Sequence, residues 1–295
     1  MEKVYIIVLN YNNPNDTINC LESIRQLNYS NFQVIVCDNG SSDNSSKIIS
    51  RWCYNNGNKF SFIEIGENRG YAGGNNVGIR YAQQQGDMDY VWILNNDTIV
   101  DPNSLIVMIN KFRNNSNIGI CGSKLIYEWD RSKIQGYGGK INKFFGTATH
   151  ITRIKNLNKI DYVIGASMLL SKAFIDRVGL FCEDYFLYYE EADLAYRAKG
   201  IFKMDCAVDS LVFHKEGSST KSNMKNKNNK SLIADYYGIR SRILFMKKFY
   251  PSRMPLVYFG LIISIVNRIR RRQFDRIPMI FHLMLNPYDD FNNYK

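Results

Sequence analysis

Cysteine, proline and histidine are scarce in this 295-residue chain, at six, six and three copies. Cys20, Cys37, Cys53, Cys121, Cys182 and Cys206 stand apart and none forms a CxxC pair. That speaks against a zinc site and against a disulfide framework. Nothing at the amino terminus resembles a secretory leader, so the expected compartment is the reducing cytoplasm. No uncharged run reaches the ~20 residues that a membrane-spanning helix needs; the best candidate, 254–267, is too short. A GxxxxGK[ST] loop is absent, which excludes a P-loop. After the first apolar run the chain reads NYNNPND where a dinucleotide fold places glycines, which argues against a nicotinamide enzyme.

Apolar residues are plentiful, at 45% with 20 Tyr and 17 Phe. The length suits one large α/β domain with an appendage, or two small domains. Charge is unevenly placed. Residues 1–196 carry 19 basic and 20 acidic side chains, whereas 197–295 carry 19 and 7, a surplus of +12. A basic bias at one end suggests a partner surface there, either anionic lipid or nucleic acid.

The first hundred residues alternate between strand and helix signals. Segments 4–9 (VYIIVL), 32–37 (FQVIVC), 60–65 and 90–94 (YVWIL) read as buried strands. Between them, Asn13-Pro14 opens a helix with Asn as cap and Pro at the first helical position. A second helix is expected near 44–54, and a glycine-rich stretch at 70–78 leads into a third that ends near Gln85. This βαβαβαβ order predicts a parallel sheet with right-handed crossovers. A helix capped by Asp101-Pro102 and a further strand follow by Ser123. Residues 124–170 read as short strands and loops, 172–200 as helical, 201–213 as extended, 221–230 (KSNMKNKNNK) as a flexible basic loop, and 231–295 as helices.

Ligands of an open parallel sheet sit beyond the carboxyl ends of its strands. Three polar clusters fall there: Asn10-Tyr11-Asn12, Asp38-Asn39-Gly40 and Asn95-Asn96-Asp97. Asn, Asp and Gly also simply make turns, so no one cluster is decisive. Three on one rim point to a binding site.

Six segments in order, VLNYN, CDNGSSD, ENRGYAGGNNVG, LNND, GLFCEDYFLYYEEADLAYR and VFH, make the chain resemble family 2 glycosyltransferases of the GT-A fold. In pattern it is similar to bacterial rhamnosyltransferase-like enzymes of surface polysaccharide assembly. The resemblance covers residues 3–245. It implies an α/β fold with a Rossmann-like, mostly parallel sheet and a C-terminal helical extension. Residues 1–220 would form the catalytic domain, with a nucleotide-binding half at 1–100 and a metal and acceptor half at 101–220. It further implies inverting transfer of a sugar from a nucleoside-diphosphate donor, dTDP-rhamnose or a UDP-hexose, to a saccharide acceptor carried on a lipid.

By the same resemblance, Leu9, Asn10, Tyr11, Asn12, Asp38, Asn68, Arg69, Gly70, Asn75, Asn95, Asn96, Gly165 and Ala166 hold the donor. Asp38 would read the base, and Arg69 would offset phosphate charge. Asn95-Asn96-Asp97 takes the place of the DxD motif. Asp97 supplies the carboxylate that a hard cation bridging a diphosphate requires, and His214 is its partner, a set that suits Mg2+ or Mn2+. The family pattern Glu-Asp-x-Asp reads here as Glu190, Glu191, Ala192, Asp193. Glu191 occupies the position of the base, with Glu190 the neighbouring candidate. Helical spacing would put Glu190 and Asp193 on one face and turn Glu191 away.

In the C-terminal third, 256–266 (LVYFGLIISIV) and 277–285 (IPMIFHLML) flank a cationic cluster that includes Arg268, Arg270, Arg271 and Arg272. Segments of this kind lie in the headgroup region of an anionic membrane. That predicts a peripheral protein on the inner face of the cell membrane. Packing on the domain, or on a second copy in a homo-oligomer, is the other reading. A sugar-phosphate nucleotidyltransferase would show a glycine-rich basic loop after the first strand. A nucleic-acid-binding protein would leave the rim clusters without a role, so no nucleic acid is expected.

Overall fold

The computed structural model describes residues 1–215 and 231–294; segment 221–230, expected to be a flexible loop, lies outside the described residues. The chain opens with β1 (Val4–Asn10), α1 (Pro14–Arg25), β2 (Phe32–Asp38), α2 (Ser45–Asn55), β3 (Phe60–Glu64), α3 (Gly70–Gln85) and β4 (Tyr90–Asn95). Then come β5 (Thr98–Val100), α4 (Ser104–Asn114), β6 (Ile118–Tyr127), β7 (Ile134–Gly136), β8 (Gly139–Ile141), β9 (Ala148–His150), β10 (Ser167–Ser171), α5 (Lys172–Val178), α6 (Glu190–Arg197) and β11 (Lys203–His214). After the undescribed segment follow α7 (Leu232–Phe249), α8 (Met254–Arg270) and α9 (Arg276–Leu285).

Among the described residues, nine strands form the main sheet in the order β3-β2-β1-β4-β10-β6-β11-β5, with β7 on β6. The first four are parallel, and β6 and β11 run with them. β10, β5 and β7 run against them. Strand alternation divides the core between the two faces. Val4, Ile6 and Val8 pack with Leu21, Ile24, Ile49 and Leu105 on one side; Tyr5 and Ile7 pack with Ala72, Ile79, Phe174 and Leu194 on the other.

Three local expectations change. The glycine-rich stretch is α3 itself rather than its approach. Its glycines let the helix lie against β1: a Cβ on Gly74 would stand 2.5 Å from Leu9 Cδ1, and one on Gly78 2.5 Å from Ile7 Cγ2. Residues 172–200 are not one helical segment. α5 stops at Gly179, in the left-handed region at φ +87°, and α6 starts only at Glu190. Asn13 does not cap α1 with its side chain; it bonds Asp16 instead.

The larger change concerns 231–295. These helices form the expected C-terminal extension, and they pack onto the domain. Tyr236, Tyr237, Ile243 and Phe245 of α7, Val257, Leu261 and Ile265 of α8, and Met279 and Ile280 of α9 share a third core with Ile141, Tyr162, Tyr185, Ala192 and Ala195. Asp235 on α7 fastens the bundle: its carboxylate accepts from Arg268 at 2.6 Å and from Arg276 at 2.8 Å. Arg268, expected to face lipid, is therefore a half-buried structural partner. Among the described residues, no helix is long and apolar enough to cross a membrane.

Candidate active site

The carboxyl ends of β1, β2 and β4 are flush, with Asn10 opposite Asp38 and Leu9 opposite Asn95. The three polar clusters are therefore neighbours, and they bond to one another. Asn10 Nδ2 donates to Asp38 Oδ1 at 2.6 Å, and Asn10 Oδ1 accepts from the Thr17 hydroxyl at 2.8 Å. Asn96 Nδ2 donates to the same hydroxyl at 2.9 Å. This network forms a rigid floor. Above it lies a cavity of 910 Å³, closed on the far side by β8, β9 and the C-terminal helices.

Twelve of the eighteen expected site residues line that cavity: Leu9, Tyr11, Asn68, Gly70, Asn95, Asn96, Asp97, Gly165, Ala166, Glu190, Glu191 and His214. The other six do not. Asn10 belongs to the floor. Asp38 is buried, and its carboxylate accepts from Asn10, from Ser41 through both hydroxyl and N–H, and from Ser46. The Ser46 hydroxyl also lies 3.0 Å from Glu64 Oε1 and has one proton for the two carboxylates. Asn12 holds the turn after β2 by accepting from the N–H groups of Ser42 and Asp43. Arg69 reaches Glu67 at 3.6 Å and Glu183 at 3.9 Å rather than a phosphate position. Asn75 is buried within α3 and donates to the Tyr71 carbonyl. Asp193 is fully buried between Arg197 at 2.7 Å and Lys248 at 2.5 Å.

Glu190 and Glu191 therefore share the cavity while Asp193 leaves it, the reverse of the helical-spacing expectation. The cause is backbone. Tyr188 and Tyr189 both adopt left-handed φ, 69° and 70°, so α6 begins abruptly and presents its first two residues at once. Oε2 of each glutamate is buried without a hydrogen-bond partner among the described residues. Burial, and then the charge of Glu191, holds the Glu190 carboxyl well above the usual range. Burial pushes Glu191 up to about 7. Burial and mutual repulsion thus disfavour ionising both carboxyls at once.

Across the cavity, Asp97 Oδ1 lies 3.1 Å from His214 Nε2, with both side chains over nine-tenths buried. His214 Nδ1 pairs with Gln135 Oε1 at 2.9 Å; since that oxygen only accepts, Nδ1 carries a proton, which leaves Nε2, the nitrogen facing Asp97, as the atom that would ligate a cation. Two ligands at ~2.1 Å from one octahedral cation stand ~3 Å apart. The residues thus fit a divalent metal, for which they provide one carboxylate oxygen and one imidazole nitrogen. The Tyr71 hydroxyl donates to the Gly165 carbonyl at 2.7 Å and sits within the field of Glu190, Glu191 and Asp97.

Gln135, Tyr71 and Asn39 were not singled out from the sequence. Asn39 fixes the nucleotide side by donating to Asn68 Oδ1 and to the Gly70 carbonyl. It lay inside a cluster already noted. Gln135 is 79 residues from its histidine and in no motif.

Residues 5–178 match the family model described as "Glycosyl transferase family 2". A low-salt glycan biosynthesis hexosyltransferase of Haloferax volcanii is 26% identical over 205 residues, 68% of this chain and 62% of that protein. A poly-beta-1,6-N-acetyl-D-glucosamine synthase of Staphylococcus aureus is 33% identical over 119 residues, 40% of this chain and 27% of that protein. The chain thus spans less than two thirds of the length of either relative. Among solved structures, S. aureus TarS 1-349 superposes with a TM-score of 0.61 at 14% identity, covering 97% of this chain and 80% of that one. A Pyrobaculum calidifontis mannosyltransferase in complex with GDP-Man and Mn2+ gives 0.58 at 14%, covering 97% and 84%. These likenesses show the GT-A fold.

Proposed function

We infer that this chain, which belongs to glycosyl transferase family 2 and is a glycosyltransferase, moves one sugar with inversion from a nucleoside-diphosphate donor to a glycan acceptor. The observation that carries this reading is the meeting, in one cavity at the strand ends, of Asp97 and His214 at 3.1 Å with a buried pair of adjacent glutamates whose carboxyls are both raised. The donor nucleotide lies along Leu9, Tyr11, Asn39 and Asn68, and its diphosphate lies toward Asp97 and His214. A divalent cation, Mg2+ or Mn2+, held there would stabilise the negative charge that grows on the leaving diphosphate. Glu191 takes the proton of the acceptor hydroxyl as its oxygen attacks the anomeric carbon and the bond to the diphosphate breaks. A carboxyl near pH 7 suits that task. Glu190, kept protonated, holds down the charge beside it.

The acceptor is lipid-linked and the protein sits peripherally on the inner membrane face. Support comes from α8, where Leu256, Phe259, Ile262, Ile263, Val266 and Ile269 form an exposed apolar row. Arg270, Arg271 and Arg272 continue it and are exposed. Each basic side chain near an anionic surface contributes about 1 kcal/mol. Burial of the same row in a homo-oligomer is the second reading, and sedimentation without lipid separates the two. The deciding experiment for the main reading is a panel of nucleotide sugars assayed for metal-dependent release of nucleoside diphosphate. dTDP-rhamnose is first and UDP-hexoses follow. Failure of every donor, in a folded and metal-supplied protein, would overturn it.

A further inference from the structure

One cation in the cavity wall has no counter-charge. Arg242, on the face of α7 turned to the cavity, is 9% exposed. Its Nε donates to the Phe145 carbonyl at 2.6 Å. Among the described residues, its two terminal nitrogens have no hydrogen-bond partner and no carboxylate forms an ion pair with it. Burial lowers its proton affinity, yet a guanidinium remains charged. Its neighbour on the same helix does not neutralise it: Asp235 is taken by Arg268 and Arg276. A charge taken largely out of water without a partner is costly to maintain.

The position is specific. Tyr189 donates to the Gly146 carbonyl at 2.6 Å, next to the Phe145 carbonyl that holds Arg242. Two adjacent carbonyls thus hold Arg242 and the residue just before Glu190 and Glu191, which sets the guanidinium on the glutamate side of the cavity. On α8, Gly260 comes closest: a Cβ there would stand 3.0 Å from Arg242 Nη2. The absent side chain leaves the guanidinium room, and Ser264, one turn on, lines the same wall.

We propose that Arg242 is a specificity residue that binds an oxyanion, of the phosphate class, on the acceptor, close to the hydroxyl that is glycosylated. This rests on the transferase reading above and narrows its acceptor from any glycan to a phosphate-bearing one. A guanidinium fork suits phosphate oxygens. The phosphate belongs either to the carrier that bears the glycan or to a phosphodiester within it.

The test uses the full chain in chelator, so that no cation at Asp97 and His214 recruits the probe. Inorganic pyrophosphate and orthophosphate are titrated by calorimetry against wild type, Arg242→Met and Arg242→Lys. Wild type should bind, Arg242→Met should weaken binding by roughly tenfold or more, and Arg242→Lys should recover part of it. With Mn2+ restored, nucleoside-diphosphate binding should be equal in all three. Preference for pyrophosphate would indicate a carrier diphosphate, and equal affinity a single phosphate in the glycan. If Arg242→Met does not fold, Ser264→Asp puts a carboxylate on the same wall and leaves the Phe145 bond intact; it should weaken the probe likewise. No binding by wild type, unchanged binding by the folded variants, or an equal loss of nucleoside-diphosphate affinity would each overturn the proposal. Donor hydrolysis by wild type is measured in parallel, so the transferase reading stands or falls separately.

Discussion

Replacing Glu191 by Gln should inactivate the protein and stabilise it at the same time. Burial raises the Glu191 carboxyl from 4.5 to about 7. Between those two values the folded chain binds more protons than the unfolded one, so stability falls as pH rises through that window and the whole loss is present above pH 7. The shift corresponds to at most ~3 kcal/mol, less because solvent reaches the carboxylate from the cavity. Gln cannot ionise and escapes the loss. Glu191→Gln should therefore match wild type in denaturant near pH 4.5 and exceed it by about 1–3 kcal/mol at pH 8. Its transfer rate should fall ~10²–10⁴-fold, the usual contribution of a general base. In wild type the rate should drop about tenfold per pH unit below 7, as protonated Glu191 ceases to accept. Glu190, already protonated, should tolerate Gln with a rate loss of under ~10-fold. Urea melts across pH, with initial rates on the same preparations, decide the matter. A dead Glu190→Gln beside an active Glu191→Gln would place the base one residue earlier. Equal stability of Glu191→Gln and wild type at pH 8 would refute the burial argument.

Three other outcomes are expected. Asp97→Ala should abolish transfer with the fold intact by circular dichroism, and EDTA should do the same to wild type; full activity in EDTA would remove the cation. Asp235→Ala strands Arg276, which is buried, and Arg268, which is half-buried, and should cost about 3 kcal/mol in chemical denaturation. Changing Arg270, Arg271 and Arg272 to Gln should weaken flotation with anionic vesicles far more than with neutral ones, and high salt should imitate it because exposed charge is screened beyond ~8–10 Å. By contrast, truncation before Pro255 removes Val257, Leu261, Ile265, Met279 and Ile280 from a shared core, so it should yield an unfolded or insoluble chain rather than a soluble enzyme.

The sequence carried the nucleotide-binding half well because its signals are local. Continuous apolar runs followed by Asn, Asp and Gly mark buried strands and their functional ends, and the first four strands are parallel as their alternation with helices implies. It also named both members of the Asp97 and His214 pair, through the resemblance. It misjudged what depends on orientation. The parity of Glu190, Glu191 and Asp193 assumed a helix already under way, and two left-handed tyrosines restart it. It missed what depends on distant partners. Arg242 takes its anchor 97 residues away and Asp235 its arginine 33 residues away, with nothing nearby to mark either. Asp38 was named by motif, and its bonds to Asn10 and Ser41 tie it into the floor of the site.

The glycines of α3 bear on how such an enzyme diversifies. Gly74 and Gly78 are filled from below by Leu9 and Ile7, so the constraint on them comes from the packing of a helix on a strand and is indifferent to the bound sugar. A lineage that exchanges one donor for another must keep them. Its freedom lies in side chains that face the cavity, such as Tyr11. A signature built on the glycine-rich stretch will therefore recover ancestry reliably and substrate hardly at all, and a library aimed at new donors gains nothing by varying it.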